Sequence, residues 1–546
     1  MKNMQIVSAF PDPLPVEGNI DFSTFFDKVV RPYENIPLLF DPEANISYKF
    51  SELRFLVYRF IIAFNKGSLK QEDVIATVIS NSIEFIALFL ACCKQRLIFC
   101  PLNPSYKINE LLSYLSKVNP VYLIIDNDFN KDSSQILETI TSLKAIYQVE
   151  NLMMGSPLLN NENPYQLIEF DNKTPALIIF SSGSTGIPKP VLISHRSLIY
   201  QINMFRCLKQ NAKDDFLFLQ PTDTVYGVLP YFHLGGLMTT LTMLVQSVKV
   251  VLNKKFNEDI FYENIQKYHV TTLTVVPEVL RIMLNSTKIN NYDISSLKYI
   301  YYGSSKCSPG IVKKLKEKYS HIELFIQLYG STEGGSAIFM MPKIPEAHEK
   351  VDSVGVLLPG IQCKLIPIEE GENQSTINGR ECGELYLKSD MLMNGYLTND
   401  IISIDENGWL KTGDIFSVDK EGFFYVNGRC KEIIKIRGWQ VSPIELEIAI
   451  LEEFNDEIEE CAVTLYEKND SSDNVESYLV CLIVLKANET LDGEDVIKFV
   501  KDNFISYKHI QKPIKFVESL PKTSNGKLLR HKLSELYDED FSSDCE

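Results

Sequence analysis

Apolar positions recur in two different rhythms along the chain. From residue 49 onward Leu53, Leu56, Val57, Phe60 and Ile61 fall at helical spacing, which predicts an amphipathic helix. Residues 73–79 read as a strand, 82–93 as a helix, 97–100 as a second strand and 121–126 as a third. The short apolar runs 176–180 and 191–193 read as buried strands, and Ser194 is placed to cap a following helix. Residues 270–276 and 297–302 are further strands, ending at Pro277 and Gly303. Strands alternating with helices at this pace predict an α/β fold around a largely parallel sheet. Near the C-terminus a strand at 479–485 and a helix at 496–504 suggest a β-α-β-α unit. Residues 1–50 carry Pro11, Pro13, Pro15, Pro32 and Pro37 and read as an extended leading segment, while 127–170 show no clear pattern.

Length and charge narrow the picture. A chain of 546 residues is too long for one core, so two or more domains are expected. The net charge of −17 argues against nonspecific binding to nucleic acid or to an anionic membrane. An anionic ligand must then be held by local donors. Eleven cysteines without a C-x-x-C pair read as reduced thiols. The N-terminus has no signal-peptide core and the C-terminus no Ser-Lys-Leu, and the longest apolar stretch, 85–93, is too short for a transmembrane segment. A cytoplasmic protein is expected.

The densest chemistry lies at residues 181–190, Ser-Ser-Gly-Ser-Thr-Gly-Ile-Pro-Lys-Pro. Small residues let backbone N–H groups converge on an anion, the hydroxyls of Ser181, Ser182, Ser184 and Thr185 add donors, and Lys189 adds positive charge. Gly183 and Gly186 supply the backbone freedom. Pro188 stands where a Walker loop needs glycine, so this is a different cradle. A flexible Ser/Gly surface loop is the alternative that this stretch alone leaves open.

Farther along, residues 327–335 read Gln-Leu-Tyr-Gly-Ser-Thr-Glu-Gly-Gly. Thr332 offers a hydroxyl to a phosphate oxygen, Glu333 a hard oxygen ligand for Mg²⁺, and Tyr329 beside Gly330 an aromatic face for a purine. Asp414 follows a Thr-Gly turn in Trp-Leu-Lys-Thr-Gly-Asp, where a carboxylate can accept both ribose hydroxyls. Each of these alone would suit a solvent-exposed turn.

Taken in order, these stretches resemble the signatures of the adenylate-forming enzymes, which include acyl- and aryl-CoA ligases, beetle luciferases and peptide-synthetase adenylation domains. The resemblance covers nearly the whole chain after residue 50. It implies a large N-terminal α/β domain over residues 1–430 and a small mobile α+β lid over 431–546. It implies that Gly303, Ser304 and Ser305 pass beneath the adenine, that Arg429 contacts ribose and phosphate, and that His233 lies against the acyl substrate beside Gly235 and Ser304. Lys431 matches the hinge of the family, and Lys435 and Gly438 match positions used in the CoA step. Lys527, in Asn-Gly-Lys near the end, matches the lysine that the lid delivers to the reacting carboxylate. The chain departs from the family at Pro190, Lys306 and Asn525.

What the resemblance implies is an acid–CoA ligase. ATP, Mg²⁺ and CoA would act on a fatty or aryl carboxylic acid, with no nucleic-acid partner, transmembrane segment or carrier-protein domain. Two other readings stand beside it: an adenylating enzyme with another acceptor or a luciferase-like oxidation, and a noncatalytic binding protein that keeps ATP or acyl-ligand affinity. Lys527, Glu333 and Asp414 are present, which disfavours the last.

Overall fold

The computed structural model describes the chain except for residues 1–3, 14–17, 68, 155–169, 182–188, 213, 306, 308, 368–375, 378–379, 399–402, 431–433, 437–438, 442, 470–474, 505, 523–527 and 539–546. It is a mixed α/β molecule with a large N-terminal and a small C-terminal domain.

The alternation of strands and helices resolves into two mainly parallel sheets rather than one. In the seven-stranded sheet, Pro175–Ser181, Ile98–Pro101, Val74–Val78, Tyr122–Ile125 and Ala145–Gln148 run parallel, with Lys189–Ser194 and Gly395–Tyr396 added antiparallel at one edge. In the nine-stranded sheet, Leu324–Ser331, Tyr299–Tyr302, Thr272–Val275, Thr224–Gly227, Lys249–Leu252 and Pro37–Asp41 are parallel, flanked by antiparallel edges. A third sheet is antiparallel throughout and contains Gln362–Ile366, Arg380–Lys388, Leu410–Val418 and Phe424–Arg429.

The helix Ile83–Gln95 shows why the parallel layers form. Ser82 accepts from Phe85 N at 3.1 Å, and the chain leaves the helix at Arg96 with φ +58°. Between these caps, residues from Ile83 to Cys93 are almost all buried, including Cys92 and Cys93. A helix apolar on every side belongs inside a core. Here it packs against the helices Phe50–Asn65 and Phe22–Val30.

The leading segment is not extended as expected. Asp21 caps the helix Phe22–Val30 by accepting from Thr24 N at 2.7 Å, and Phe22, Phe25 and Phe26 are buried. Pro32 falls in a 3-10 turn, Arg31–Tyr33, and Pro37 opens the strand Pro37–Asp41, so these prolines stand within short elements rather than in an extended lead. The featureless stretch after 127 likewise contains the helix Ser133–Thr139 and the strand Ala145–Gln148.

After residue 430 and up to Asn503 the described elements are a strand pair, Ile434–Ile436 with Trp439–Val441, the helix Pro443–Glu453, the antiparallel pair Ile458–Asn469 and Val475–Leu485, and the helix Gly493–Asn503. The expected β-α-β-α alternation therefore holds with strand pairs in place of single strands. The strands Ile458–Asn469 and Val475–Leu485 are largely apolar along their middle because both faces are covered there. Cys461, Val463, Cys481 and Ile483 pack toward the two helices, and Ala462, Tyr466, Val480 and Leu482 pack toward Leu533 and Tyr537. Arg281 of the large domain reaches Glu460 at 2.9 Å, and Lys522 shares that carboxylate at 2.6 Å. No described helix is long and apolar enough to cross a membrane.

Candidate functional site

Parallel α/β sheets present ligand sites at the carboxyl ends of their strands, and the expected residues cluster there. Pro175–Ser181 and Lys189–Ser194 form a hairpin in which Ser181 pairs with Lys189. The hydroxyl of Ser181 is buried with no hydrogen-bond partner among the described residues. An unsatisfied buried hydroxyl costs free energy unless a ligand supplies the partner. Ser182, Gly183, Ser184, Thr185 and Gly186 lie outside the described residues.

Leu324–Ser331 and Gly335–Met340 form a second hairpin, with Thr332 and Glu333 half-buried at its turn. A Cβ on Gly330 would lie 2.2 Å from the Ser336 carbonyl oxygen, so the two strands approach this closely only at glycine. The Gly334 N–H donates to Ser331 Oγ at 2.9 Å, and Ser336 N to the buried Gln201 at 3.0 Å. The turn is therefore held from both sides.

Asp414 belongs to Leu410–Val418 and pairs across the strand with Arg429. Only 6% exposed, its carboxylate takes Arg429 Nε on Oδ1 at 2.8 Å and the Tyr329 hydroxyl on Oδ2 at 2.5 Å. Burial, reinforced by the Asp414 charge, pushes the Tyr329 phenol well above its ordinary pKa, so it remains a donor. Each carboxylate oxygen accepts twice, which leaves Asp414 able to take two further hydrogen bonds. The Tyr329 ring packs edge-on against Phe416, 4.8 Å between centroids.

Gly303 ends the strand Tyr299–Tyr302, and a Cβ there would stand 2.6 Å from the Leu328 carbonyl oxygen. That closeness sets the Gly303-Ser304-Ser305 turn against the strand carrying Tyr329. Ser304 adopts φ +74°, a left-handed conformation that is uncommon for serine. His233 starts the helix Leu234–Val245, its ring 4.6 Å from that of Phe232. A Cβ on Gly235 would meet open space, whereas one on Gly236 would lie 2.2 Å from the Pro230 carbonyl oxygen.

Lys431, Gly438 and Lys527 lie outside the described residues, as do Pro188, Lys306 and Asn525; Lys435 is described only as backbone in the strand Ile434–Ile436. Two residues not singled out from the sequence stand in the site. Tyr396 donates its hydroxyl to Glu333 Oε1 at 3.1 Å while Lys189 Nζ lies 5.2 Å from its ring centroid. The side chain of Asn81, 5% exposed, donates to the Leu229 carbonyl at 2.9 Å and accepts from Tyr231 N at 2.8 Å, which pins the loop leading to His233.

No group of three or more His, Cys, Asp or Glu that can hold a metal occurs among the described residues. A single carboxylate is the kind of ligand that suits Mg²⁺ shared with substrate phosphates.

Lys189 and Tyr396 come from the seven-stranded sheet, Tyr329, Thr332 and Glu333 from the nine-stranded one, and Asp414 and Arg429 from the antiparallel one. An arrangement joining cations, a carboxylate suited to Mg²⁺ and a second carboxylate with spare acceptor capacity suits a nucleotide. The comparisons with known proteins agree. The family described as AMP-binding enzyme matches residues 26–397, and the AMP-binding enzyme C-terminal domain matches 447–527. The probable 4-coumarate–CoA ligase 1 of Dictyostelium discoideum is 30% identical, covering 96% of this chain and 98% of its own length. The luciferin 4-monooxygenase of Photinus pyralis is 28% identical over 90% of this chain and 89% of its own. Among solved structures, ATP-bound MatB from Rhodopseudomonas palustris superposes with a TM-score of 0.80 at 20% identity, covering 95% of this chain and 99% of that one. The chain belongs to the AMP-binding, adenylate-forming enzymes, in the branch that holds the 4-coumarate–CoA ligases and the luciferases.

Proposed function

We propose that this enzyme is an ATP-dependent acid–CoA ligase acting on a fatty or aryl carboxylic acid in the cytoplasm. The observation that carries the reading is the convergence of Lys189, Glu333, Tyr329, Asp414 and Arg429 where three sheets meet. In the first step a carboxylate oxygen of the acid attacks the α-phosphorus of ATP, the bond to the bridging oxygen breaks, and pyrophosphate leaves. Two anions must approach, so the barrier is electrostatic.

Residues 181–186 with Lys189 would hold the β- and γ-phosphates, and Thr332 an α-phosphate oxygen. Mg²⁺, bound through Glu333, would neutralise developing charge on the phosphates. Asp414 would accept the ribose hydroxyls, with Arg429 beside it, and the Gly303–Ser305 turn would flank the base. His233, Gly235 and Ser304 would shape the acyl pocket. Lys527, delivered by a lid spanning residues 431–546, would bind the reacting carboxylate and an α-phosphate oxygen. In the second step the lid would turn about Lys431, with Lys435 entering the site and Gly438 beside the CoA arm. The CoA thiolate attacks the acyl carbonyl carbon and AMP leaves.

The test is pyrophosphate release from ATP and Mg²⁺ across a panel of fatty and aromatic acids, with and without CoA, beside Lys527→Ala. CoA-dependent turnover on one acid class, reduced on the order of 10²–10³-fold in the variant, is the expected result. Turnover indifferent to CoA would favour another acceptor or oxidation of the adenylate, a fate to which the luciferase relationship lends weight. ATP binding without turnover on any acid would favour a binding protein.

A further inference from the structure

Lys189 and Glu333 carry opposite charges, and both border the ring of one tyrosine. The Tyr396 hydroxyl donates to Glu333 Oε1 at 3.1 Å, and Lys189 Nζ sits 5.2 Å from the ring centroid. Among the described residues, Lys189 and Glu333 form no ion pair with each other. Backbone bonds fix the tyrosine from both sides. Asn394 N donates to Leu192 O at 2.8 Å and Leu397 N to Pro190 O at 2.9 Å, while Met393 N donates to Glu333 O at 2.9 Å. The strand Gly395–Tyr396 pairs with Val191 and Leu192, immediately after the phosphate loop. One short segment therefore ties the loop carrying the lysine to the turn carrying the carboxylate.

We propose that Tyr396 is a positioning residue that keeps the Lys189 ammonium and the Glu333 carboxylate apart, so that each is available to a nucleotide before it binds. The inference rests on the reading of the site as an ATP site. Opposite charges that border one ring and are left unsupported would pair with each other, and an ammonium paired to a carboxylate is withdrawn from phosphate, as the carboxylate is from Mg²⁺. The phenol prevents this in two ways. Its face attracts the ammonium, and its hydroxyl occupies one carboxylate oxygen.

The two halves of this role separate in two variants. Tyr396→Phe keeps the face for Lys189 and removes the donor to Glu333. Tyr396→Leu removes both. Three quantities are measured on the full chain: the Mg²⁺ concentration for half-maximal pyrophosphate release, ATP affinity in EDTA, and melting temperature. For Tyr396→Phe the Mg²⁺ requirement is expected to rise about tenfold, the size of a lost hydrogen bond to a charged group. Its metal-free ATP affinity should stay within about twofold of wild type, and its melting temperature close to it. Tyr396→Leu should show the raised Mg²⁺ requirement and also bind metal-free ATP several-fold more weakly, through loss of the ring contact.

A Tyr396→Phe Mg²⁺ curve that superposes on wild type overturns the proposal, as does equal loss of metal-free ATP affinity in the two variants. If Tyr396→Leu does not fold, Tyr396→Phe carries the test alone. Wild-type protein that neither binds ATP nor releases pyrophosphate would overturn the ATP-site reading itself. Active wild type with an unshifted Tyr396→Phe removes only the role given to the tyrosine.

Discussion

The hydroxyl of Tyr329 donates to Asp414 Oδ2 at 2.5 Å, and this contact joins the nine-stranded sheet to the antiparallel one. Tyr396 makes the corresponding link from the seven-stranded sheet to Glu333. Two phenol–carboxylate bonds thus fasten three sheets to one another. Each phenol is raised in pKa first by burial and then by the carboxylate it meets, so neither link is lost to ionisation of the phenol at neutral pH.

Asp414→Asn is expected to act on nucleotide binding more than on the chemical step. The Tyr329 hydroxyl and Arg429 both donate to this carboxylate, and an amide presents an acceptor to only one of them. The other donor then faces the amide N–H₂, at a cost of about 1–3 kcal/mol for a buried unpaired group. KM for ATP should rise on the order of tenfold or more, with a lowered melting temperature. Tyr329→Phe removes one donor and should shift KM less. Steady-state kinetics with varied ATP checks both.

The motifs legible in the sequence were those in which several chemically distinctive side chains fall within one short stretch, as at 181–189 and 329–333. Tyr396 escaped because its place depends on a two-residue strand whose register is set by backbone bonds to Val191 and Leu192. No local pattern announces such a pairing. Asn81 escaped for a similar reason, since its partners lie about 150 residues away. The antiparallel sheet left little trace in the apolar pattern, because strands such as Arg380–Lys388 mix charged with apolar positions. The two parallel sheets merged into one reading, since alternation of strands and helices does not say which strands are neighbours.

Gly235 and Gly236 are adjacent, yet their alanine variants should differ sharply. A Cβ at Gly236 would meet the Pro230 carbonyl oxygen at 2.2 Å, so the backbone before His233 must move. Loss of stability of about 1–3 kcal/mol, typical of overpacking, is expected for Gly236→Ala, together with reduced turnover. Gly235→Ala adds a methyl to open space and should leave the melting temperature nearly unchanged. If Gly235 faces the acyl pocket, its variant shifts the preferred acid toward smaller members of the panel. Melting curves with kcat/KM across the acid series separate the two.

His195 makes stability depend on pH. It is fully buried, and its Nδ1 accepts from Phe22 N at 3.1 Å at the start of the helix Phe22–Val30. Burial, with Arg96 nearby, lowers its pKa from 6.5 to about 3. Between those values the unfolded chain binds a proton that the folded chain does not, so stability falls as pH drops below 6.5. The loss amounts to about 2 kcal/mol between pH 7 and pH 5. Urea unfolding at the two pH values should give a smaller pH difference for His195→Asn, which accepts from Phe22 N without titrating.

Asn81 offers the sharpest separation of acid from nucleotide effects. Its side chain satisfies the Leu229 carbonyl and the Tyr231 N–H of the loop that leads to His233, at 2.9 and 2.8 Å. Asn81→Ala leaves both backbone groups without that partner, at about 1–3 kcal/mol for each that stays dry. Asn81→Asp keeps the acceptor for Tyr231 but turns a carboxylate toward the Leu229 carbonyl oxygen in a buried place, so it should be no better. Lys189, Glu333 and Asp414 lie on other segments. KM for the acid is therefore expected to rise in both variants, while KM for ATP and metal-free ATP affinity stay near wild type. Equal loss of acid and ATP affinity would place the loop's influence on the whole cleft instead of on the acyl side.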